Sequence, residues 1–420
     1  MNEITGKSKM RNCCSILNRY FKVLLAILLL TLIVQLAMFK KSMFSSQEYS
    51  ANLATFRDGH LIENPSQESP ILQKWRLKLH GHYQERKPLD SIYFLKIHKT
   101  GSTTLQGIIM RYGDTRNLTF GLHYGLASLG YPKPFQKSFV RRFKDNTSRL
   151  DIICHHLRHS DEVFEVLKPK VKAVTLIRNP TYSFISAFKY YQAWSRRCFG
   201  TGNIDAFLSE PDRYTRAINY SRACQNKQLF DLGMQPNNSR NIVEVINKIH
   251  EIDRTFHLVM ISEYFKESLI LLKHLMNWSF HDIIYFSKNV QNKKTDQVDK
   301  THPRAYKIIK ELNSGDEFMY QYYNRTFWKI IDIFGRDKMD RELAEFNVLQ
   351  DEMEAVCIED EVEGRDKNVE PQYKAVYLTN RVNAYILTEE GKNNETCRQM
   401  LMYEVQYTNH LRKKMRETIM

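Results

Sequence analysis

Short apolar runs rich in β-branched residues alternate with longer segments of helical periodicity through most of the chain beyond residue 90. The strands predicted from these runs are Ile92–Ile97, Arg149–Cys154, Val171–Ile177 and Phe256–Ile261. Between them, apolar residues recur every three or four positions, which predicts helices. Strands that alternate with helices form parallel sheets covered on both faces, so the pattern predicts an α/β fold with a parallel sheet flanked by helices.

Helical periodicity persists toward the C-terminus and then weakens. The predicted helices are one that begins at Ser102, Asp161–Leu167, Thr181–Trp194, Glu263–Met276, Pro303–Phe334 with a break near Asn313, and Lys338–Ala355. The acidic stretch Glu359–Asp366 is predicted to be a loop. The loosely alternating segment Lys374–Leu387 is predicted to be an edge strand or a hairpin.

One apolar run near the N-terminus differs from all the others. Val23–Phe39 spans 17 residues interrupted only by Thr31 and Gln35, the shortest length that crosses a bilayer. No polar face runs along it, which argues against a buried core helix. The basic residues that precede it outnumber those that follow, so the N-terminus should stay in the cytosol. No small-residue cleavage site follows, which indicates an uncleaved signal anchor rather than a signal peptide.

This single transmembrane helix divides the chain into four predicted parts. They are a cytosolic tail (1–22), the anchor (23–39), a luminal stem (40–88) and a luminal domain (89–420) that includes a disulfide-tied C-terminal segment. The stem has few apolar residues, although Ile71–Leu79 is predicted to pack on the domain as a short helix. The sequence leaves the oligomeric state open, with a homodimer as one arrangement.

Sequons and cysteines support a secretory compartment. Each N-x-[ST] sequon lies beyond the anchor, and the candidate glycosylation sites are Asn117, Asn146, Asn219, Asn237, Asn277, Asn324 and Asn394. Such sequons mark surface loops of secreted proteins, though each alone is weak evidence. For the luminal cysteines, the simplest account in an oxidising compartment is two disulfides, Cys198–Cys224 and Cys357–Cys397, with Cys154 as a buried thiol.

The formal charge of +15 does not by itself require a nucleic-acid partner. The first 41 residues hold seven Lys or Arg and one Glu, so the remaining 379 residues carry +9. A modest excess of this size suits an acidic small-molecule substrate as well as a polyanion. The charge does not distinguish between the two, and our expectation is that the protein has no nucleic-acid partner. No ligand pattern such as C-x-x-C or H-E-x-x-H indicates a metal site.

The segment Ser91–Gly113 is the first in the chain whose residues indicate a binding site. A predicted strand breaks at His98-Lys99-Thr100-Gly101 and resumes as a helix that Ser102 or Thr103 can cap. Free N–H groups of a first helical turn, the helix dipole and Lys99 together predict a phosphate site at the end of a strand. This is not a Walker A loop, because the lysine precedes the single glycine. The alternative is an ordinary β-turn with Lys99 in solvent.

A second anion site is predicted after the strand Val171–Ile177. Arg178-Asn179-Pro180 breaks that strand, and Pro180 suits the first turn of a helix. Ser186 then lies about two turns along. Arginine offers a bidentate fork for a phosphate, and a helical serine offers a hydroxyl. Two such sites are what a nucleotide with phosphates at its 5′ and 3′ positions needs.

With both sites in view, the chain resembles the sulfotransferases, and among them the galactose-3-O-sulfotransferase family, whose members include galactosylceramide sulfotransferase. The segments that carry the resemblance are FLKIHKTGSTTLQ (94–106), LIRNPTYSFISAFKYY (176–191), QLFDLG (228–233), SEYFKESLILLKHLMNW (262–278), DIIYF (282–286) and YNRTFW (323–328). The chain departs in having Asn179 where aspartate is common and Gly101 where alanine is common. Neither change removes a phosphate ligand.

The resemblance implies a P-loop-NTPase-like sulfotransferase fold in a type II Golgi membrane enzyme. It implies 3′-phosphoadenosine-5′-phosphosulfate (PAPS) as donor, no metal, and the 3-hydroxyl of a terminal β-galactose on glycolipid or glycoprotein as acceptor. The donor residues so implied are Lys99, Thr100, Gly101, Ser102, Thr103 and Thr104 at the 5′ side, with Arg178 and Ser186 at the 3′ side. Lys99 would also neutralise the leaving phosphate during transfer.

The catalytic base is expected at the end of the second strand. Histidine suits proton abstraction near neutral pH, and His155 and His156 follow that strand directly. Since neighbouring strand residues face opposite sides, only one of them should face the acceptor, and we favour His156. His98 is expected to shape the turn, both histidines could instead be structural, and Glu263 is the fallback base.

Two other functions remain open from the sequence. A glycosaminoglycan sulfotransferase, of the uronyl 2-O or glucosaminyl 6-O type, would share the donor site but need a basic acceptor cleft. A membrane-anchored glycan-binding protein with a dead nucleotide site belongs to a different class. The two intact phosphate motifs argue against the second of these.

Overall fold

The computed structural model describes residues 68–80, 87–123, 128–141, 149–216, 224–287, 298–364, 366–374 and 383–417. The predicted tail, anchor and most of the predicted stem lie outside these ranges, as do the sequons at Asn146 and Asn219. The described residues from Ser69 onward belong to one compact unit. No helix in the described part of the chain is long and apolar enough to cross a bilayer.

The centre of the unit is a four-stranded parallel sheet. Its strands are β1 (Ile92–Leu95), β2 (Ile152–Ile153), β3 (Lys172–Ile177) and β4 (Leu258–Ile261), in the order β2-β1-β3-β4. Every residue of β1 and β4 is buried, as expected for a parallel sheet with both faces covered. The predicted α/β class with a helix-flanked parallel sheet is confirmed.

Helices fill the connections and form the C-terminal part. They are α1 (Pro70–His80), α2 (Ser102–Thr115), α3 (Val163–Val166), α4 (Pro180–Tyr190), α5 (Gln192–Phe199), α6 (Ile204–Ser209), α7 (Pro211–Arg216), α8 (Lys227–Asp231), α9 (Ile242–Thr255), α10 (Phe265–Met276), α11 (Phe280–Ile283), α12 (Val298–Thr301), α13 (Pro303–Leu312), α14 (Ser314–Phe334), α15 (Arg336–Cys357), α16 (Glu389–Asn393), α17 (Glu395–Leu401) and α18 (Glu404–Glu417). The predicted break near Asn313 is confirmed, since α13 ends and α14 begins there.

The order of the strands decides where a ligand can bind. From β1 the chain moves to one side for β2 and then crosses to the other side for β3. A crevice opens at such a reversal, outside the carboxyl ends of the two central strands. The loops that leave β1 and β3 therefore meet at this crevice, and these are the loops that begin at Lys96 and Arg178.

The aromatic segment after β3 is two helices rather than the single predicted helix Thr181–Trp194. Helix α4 ends at Tyr190 and α5 begins at Gln192. Phe184, Phe188, Phe199 and Phe207 from α4, α5 and α6 stack in one buried cluster. The turn between the helices folds α5 back, so that both contribute aromatic rings to the same core.

The prediction of a loop over Glu359–Asp366 is wrong. Residues Ile358–Glu363 form strand β5, which pairs antiparallel with β6 (Asn383–Leu387). The acidic side chains remain exposed, and pairing with β6 satisfies the backbone. Acidic side chains favour exposure to solvent. On a two-stranded ribbon they can point into solvent while the backbone keeps its strand conformation.

Two disulfides join the pairs that the sequence predicts. Cys198 bonds to Cys224, and Cys357 bonds to Cys397. The second pair ties the end of α15 to α17 and so fastens the β5–β6 ribbon. Cys154 is a free and fully buried thiol. Helix α1, from the segment predicted as the stem, packs on the unit through Ile71 and Trp75.

Candidate active site

The loop after β1 is held in shape from within. Lys99 and Gly101 both adopt positive φ angles, 63° and 81°. The hydroxyls of Thr100 and Ser102 donate to the carbonyl of Ile97 at 3.1 and 2.7 Å. Gly101 itself is the N-cap of α2, so the prediction that Ser102 or Thr103 caps this helix is wrong. Thr100 and Ser102 each donate their single hydroxyl hydrogen to Ile97, so these two hydroxyls have no hydrogen left for an anion.

Lys99 projects from this loop onto an aromatic ring. Its ammonium lies 3.8 Å from the ring centroid of Tyr190, at the end of α4. Burial, and then the nearby cations Arg178 and Lys96, lower the pKa of Lys99 to about 8. An anionic ligand beside this ammonium would offset these effects and favour its charged form further.

The loop after β3 lies directly beside the first. The guanidinium of Arg178 reaches the carbonyl of Lys99 at 3.5 Å. The side-chain amide of Gln228 brackets the backbone of Arg178, accepting from its N–H at 2.9 Å and donating to its carbonyl at 2.7 Å. Asn179 caps α4 by accepting from the N–H of Thr181. Ser186 is partly exposed farther along the same helix.

The carboxylate of Glu263, the fallback base, already accepts two hydrogen bonds. One carboxylate oxygen accepts from the N–H of Asn179 at 3.0 Å and the other from the hydroxyl of Tyr320 at 3.2 Å. Burial raises the pKa of this carboxyl. Both oxygens therefore serve to hold the turn after β3, which leaves the histidines as the better candidates for proton transfer.

His155 and His156 have opposite environments. His155 is 2% exposed, and its Nε2 lies 2.9 Å from the hydroxyl of Thr408 on the C-terminal helix α18. Because that hydroxyl donates to the carbonyl of Glu404 at 2.6 Å, His155 must donate through Nε2. Burial lowers the pKa of His155 to about 4. This histidine is a buried neutral group that faces away from the crevice.

His156 is partly exposed and lies on the other face. Its Nδ1 is 2.9 Å from the carbonyl of Lys96, so Nδ1 carries the proton and Nε2 keeps a lone pair. Burial, followed by the neighbouring His98, holds the pKa of His156 well below its usual range. The imidazole is therefore neutral near pH 7 and able to accept a proton through Nε2.

His98 is not only a turn residue, as the sequence suggested. Its ring stacks on that of His156 with centroids 3.8 Å apart and planes 10° apart. Its Nδ1 and its backbone N–H both bind the same carboxylate oxygen of Asp231, at 2.7 and 2.9 Å. Burial acts to raise the pKa of Asp231, but the contacts with His98 outweigh it and lower the pKa below its usual value. An ionised carboxylate thus orients this imidazole.

A buried ionic contact lies behind the loop. Lys96 is fully buried, and its ammonium binds the side chain of Gln106 at 2.7 Å and the carboxylate of Glu404 on α18. The sequence did not indicate Glu404, Asp231 or Gln228 as site residues. The signal for two of them was available, since Gln228 and Asp231 are the polar residues of the short segment QLFDLG.

The described sequons have unequal surroundings. Asn117 and Asn237 are exposed. The amide nitrogen of Asn277 donates to the carbonyl of Lys87 at 3.2 Å, while its oxygen accepts from Lys78 at 2.6 Å. Asn324 lies within α14, and Asn394 caps α17. The structure thus presents two of the described sites to solvent most openly, and glycosylation at all of them stays a prediction.

This arrangement of paired cations and stacked imidazoles at a switch point agrees with the sequence relationships of the chain. A profile of the galactose-3-O-sulfotransferase family matches residues 10–415. The chain belongs to this family. It is 31% identical over 332 residues to galactosylceramide sulfotransferase from Bos taurus, which covers 76% of this chain and 78% of the relative. It is 30% identical over 339 residues to galactose-3-O-sulfotransferase 2 from Sus scrofa, covering 78% and 84%.

A third relative extends the match to nearly the whole chain. The human galactose-3-O-sulfotransferase 2 is 28% identical over 411 residues, or 94% of each chain. Membership of the family makes this protein a galactose 3-O-sulfotransferase enzyme. The resemblance stated from the sequence motifs is confirmed, and the crevice between β1 and β3 is the candidate active site of the enzyme.

Proposed function

We propose that the enzyme transfers a sulfuryl group from PAPS to the 3-hydroxyl of a terminal β-galactose on a glycolipid or glycoprotein. One observation carries the proposal: at the switch point of the sheet, the loop after β1 holds Lys99 and His98, and His98 stacks on His156 from the segment after β2. Sulfuryl transfer needs positive charge at the leaving phosphate and a base at the attacking hydroxyl. The loop after β1 offers the cation, and the segment after β2 brings the base against that loop.

The donor fits the residues present. Gly101 has a positive φ at the N-terminus of α2, and the backbone there can approach a phosphate closely. Lys99 and Arg178 lie side by side, and burial together with this neighbouring cation lowers the pKa of Lys99. Two adjacent cations suit two anionic groups of one nucleotide. Lys99 with the N–H groups of the loop would hold the 5′ side, and Arg178 with Ser186 the 3′ side. When bound, the donor supplies an activated sulfuryl group on its 5′-phosphate.

The chain's own part in the reaction is placement and proton transfer. Lys99 stabilises negative charge that develops on the leaving phosphate oxygen, an effect that preorganised cations supply without reorganisation. His156 accepts the hydroxyl proton at Nε2, because its Nδ1 is engaged by the carbonyl of Lys96. His98, oriented by Asp231, stacks on His156 and limits its movement.

We also propose a Golgi membrane location, with the N-terminal run 23–39 as a type II anchor and residues 40–88 as a luminal stem. The apolar run with its larger basic flank on the N-terminal side supports this orientation. The two disulfides support an oxidising compartment for the domain. The test is antibody staining of a C-terminal tag. A luminal tag should stain only after detergent has made the Golgi membrane permeable to the antibody.

The test of the activity uses the full chain in detergent with radiolabelled PAPS. We expect transfer to a terminal β-galactoside blocked at every hydroxyl except the 3-hydroxyl, and none to desulfated heparin. Lys99→Ala should lower turnover on the order of 100-fold or more. The exposed Lys137, in a surface pair with Glu165, provides the control Lys137→Ala, which should leave turnover unchanged. Transfer to desulfated heparin alone, or normal turnover in folded Lys99→Ala, would refute the proposal.

A further inference from the structure

A row of aromatic side chains leads away from the donor loop. The ammonium of Lys99 lies over Tyr190, and the ring of Tyr191 lies 4.8 Å from that of Tyr190. Tyr191 approaches His98 edge to face at 6.1 Å. Tyr131 also lies beside His98, with ring centroids 4.5 Å apart. His98 is therefore flanked by two tyrosines that come from different parts of the chain.

The row continues beyond Tyr131 and ends at a cation. The ring of Phe230 lies 6.0 Å from that of Tyr131, and the guanidinium of Arg158 lies 4.3 Å from the Phe230 centroid. Arg158 is held in place by hydrogen bonds to the carbonyls of Gly233 and Met234. Its Nε is buried without a hydrogen-bond partner. The row thus ends at a guanidinium that hydrogen bonds hold in place, and its Nε–H has no acceptor in the described part of the chain.

These rings differ from the aromatic core of the same protein. Phe184, Phe188, Phe199 and Phe207 are at most 5% exposed and belong to one hydrophobic cluster. Tyr131, Tyr191 and Phe230 are each partly exposed and adjoin the imidazoles. Burial, with further effects from Asp231 on Tyr131 and from Tyr190 on Tyr191, raises the pKa of both tyrosines, so their hydroxyls stay neutral.

We propose that Tyr131 and Tyr191 form the platform on which the acceptor sugar packs, which makes them specificity-determining residues of this enzyme. The inference rests on the proposed acceptor. A galactose ring presents an apolar face through the hydrogens of C3, C4 and C5, and partly exposed aromatic rings are typical walls for such ligands. Packing across the rings that flank His98 places the 3-hydroxyl over the stacked imidazoles.

The position of the row also separates donor from acceptor. The donor side begins at Lys99 and Tyr190, and Tyr191 and Tyr131 each lie next to His98 of the stacked pair. A sulfuryl group that leaves a phosphate beside Lys99 then meets a hydroxyl held one ring farther along. Transfer in line requires this ordering of leaving group, sulfuryl group and acceptor.

The test measures acceptor kinetics of the full chain in detergent, with a β-galactoside varied at saturating donor. We expect Tyr131→Ala and Tyr191→Ala each to raise the acceptor KM about tenfold, while the affinity for adenosine 3′,5′-bisphosphate stays within about twofold. Tyr131→Phe and Tyr191→Phe keep the ring and should retain the normal KM. Tyr214, a partly exposed tyrosine beside Phe207, provides the control Tyr214→Ala, which should change neither constant.

Each outcome decides between the inference and its alternatives. An unchanged acceptor KM in both alanine variants, with bisphosphate binding retained, overturns the platform. Phe variants as impaired as the Ala variants show a role for the hydroxyls and overturn ring packing. If the Ala variants fail to bind bisphosphate, Tyr131→Leu and Tyr191→Leu keep the bulk, and the same rise in KM is required of them. A wild-type enzyme inactive on every galactoside refutes the proposed function instead.

Discussion

The two sides of the sheet edge at β1 and β2 use the same residue types for different purposes. On the open side, His98, Lys99 and His156 face the crevice. On the buried side, Lys96, His155 and Glu404 form a polar cluster with Thr408 of the last helix. His155 and His156 are sequence neighbours just beyond β2, yet their imidazoles have different partners: the hydroxyl of Thr408 for His155 and the carbonyl of Lys96 for His156.

The difference lies in how charge is balanced. The buried Lys96 has a carboxylate partner in Glu404, because an unpaired charge at that depth would be costly. Lys99 lies instead beside another cation and an aromatic ring, and its pKa is lowered accordingly. The buried side is complete without a ligand, whereas the open side is arranged to gain from an anionic one.

The largest effect should separate the two histidines. His156→Ala should lower kcat about 100- to 10,000-fold at saturating donor, because it removes the proposed base, and should leave donor affinity intact. His155→Ala should keep most of its turnover and lose about 1–3 kcal/mol of unfolding free energy, because its buried contact with Thr408 is lost. Turnover and urea unfolding measured on both variants check this. The reverse pattern would show that the base is on the buried side.

Breaking the buried ion pair should be the next largest effect. Glu404→Gln leaves Lys96 charged and unpaired, so we expect a loss of about 3–5 kcal/mol of unfolding free energy. The double variant Lys96→Met/Glu404→Leu should recover most of that loss. As a matched control, Glu165→Gln breaks the exposed pair with Lys137 and should cost at most about 1 kcal/mol. Equal losses at the two sites would show that Glu404 is not the partner that Lys96 requires.

On the open side, Arg178→Ala should weaken binding of adenosine 3′,5′-bisphosphate about 10- to 100-fold, because a charge-assisted hydrogen bond to the 3′-phosphate is lost. Ser186→Ala should have a smaller effect in the same direction. Calorimetry with adenosine 5′-phosphate, which lacks the 3′ group, provides the comparison, and neither variant should alter its affinity. A parallel loss for both nucleotides would place Arg178 elsewhere than at the 3′-phosphate.

The smallest effect concerns pH. Lys99 binds an anion as the ammonium, and its pKa is lowered to about 8 by burial and neighbouring cations. Affinity for the bisphosphate should therefore change little between pH 7 and 8 and fall by up to about tenfold per pH unit above that. Lys99→Arg keeps its charge and should remove the fall up to about pH 10. A wild-type affinity that is flat from pH 7 to 10 would contradict the role of Lys99.

Local features of the chain were sufficient to predict the sheet and the turn between β1 and α2. The strands at Ile92 and Val171, the turn at Gly101 and the helix at Pro180 follow from periodicity, turn residues and helix starts within about a dozen residues. The strand Ile358–Glu363 was missed because its acidic pattern favours a loop, and only pairing with β6 makes it a strand. Tertiary pairing of this kind routinely overrides local preference.

By itself, the sequence determined the candidate cations Lys99 and Arg178 and predicted that only one of His155 and His156 faces the acceptor. The tertiary structure alone decided which partners these residues have, since Asp231 lies 133 residues from His98 and Glu404 lies 308 residues from Lys96. Contacts at such separations depend on how the whole chain packs, not on a local period. A residue type at a strand end can thus be read from the sequence, whereas its protonation, orientation and exposure come from distant segments that fold against it.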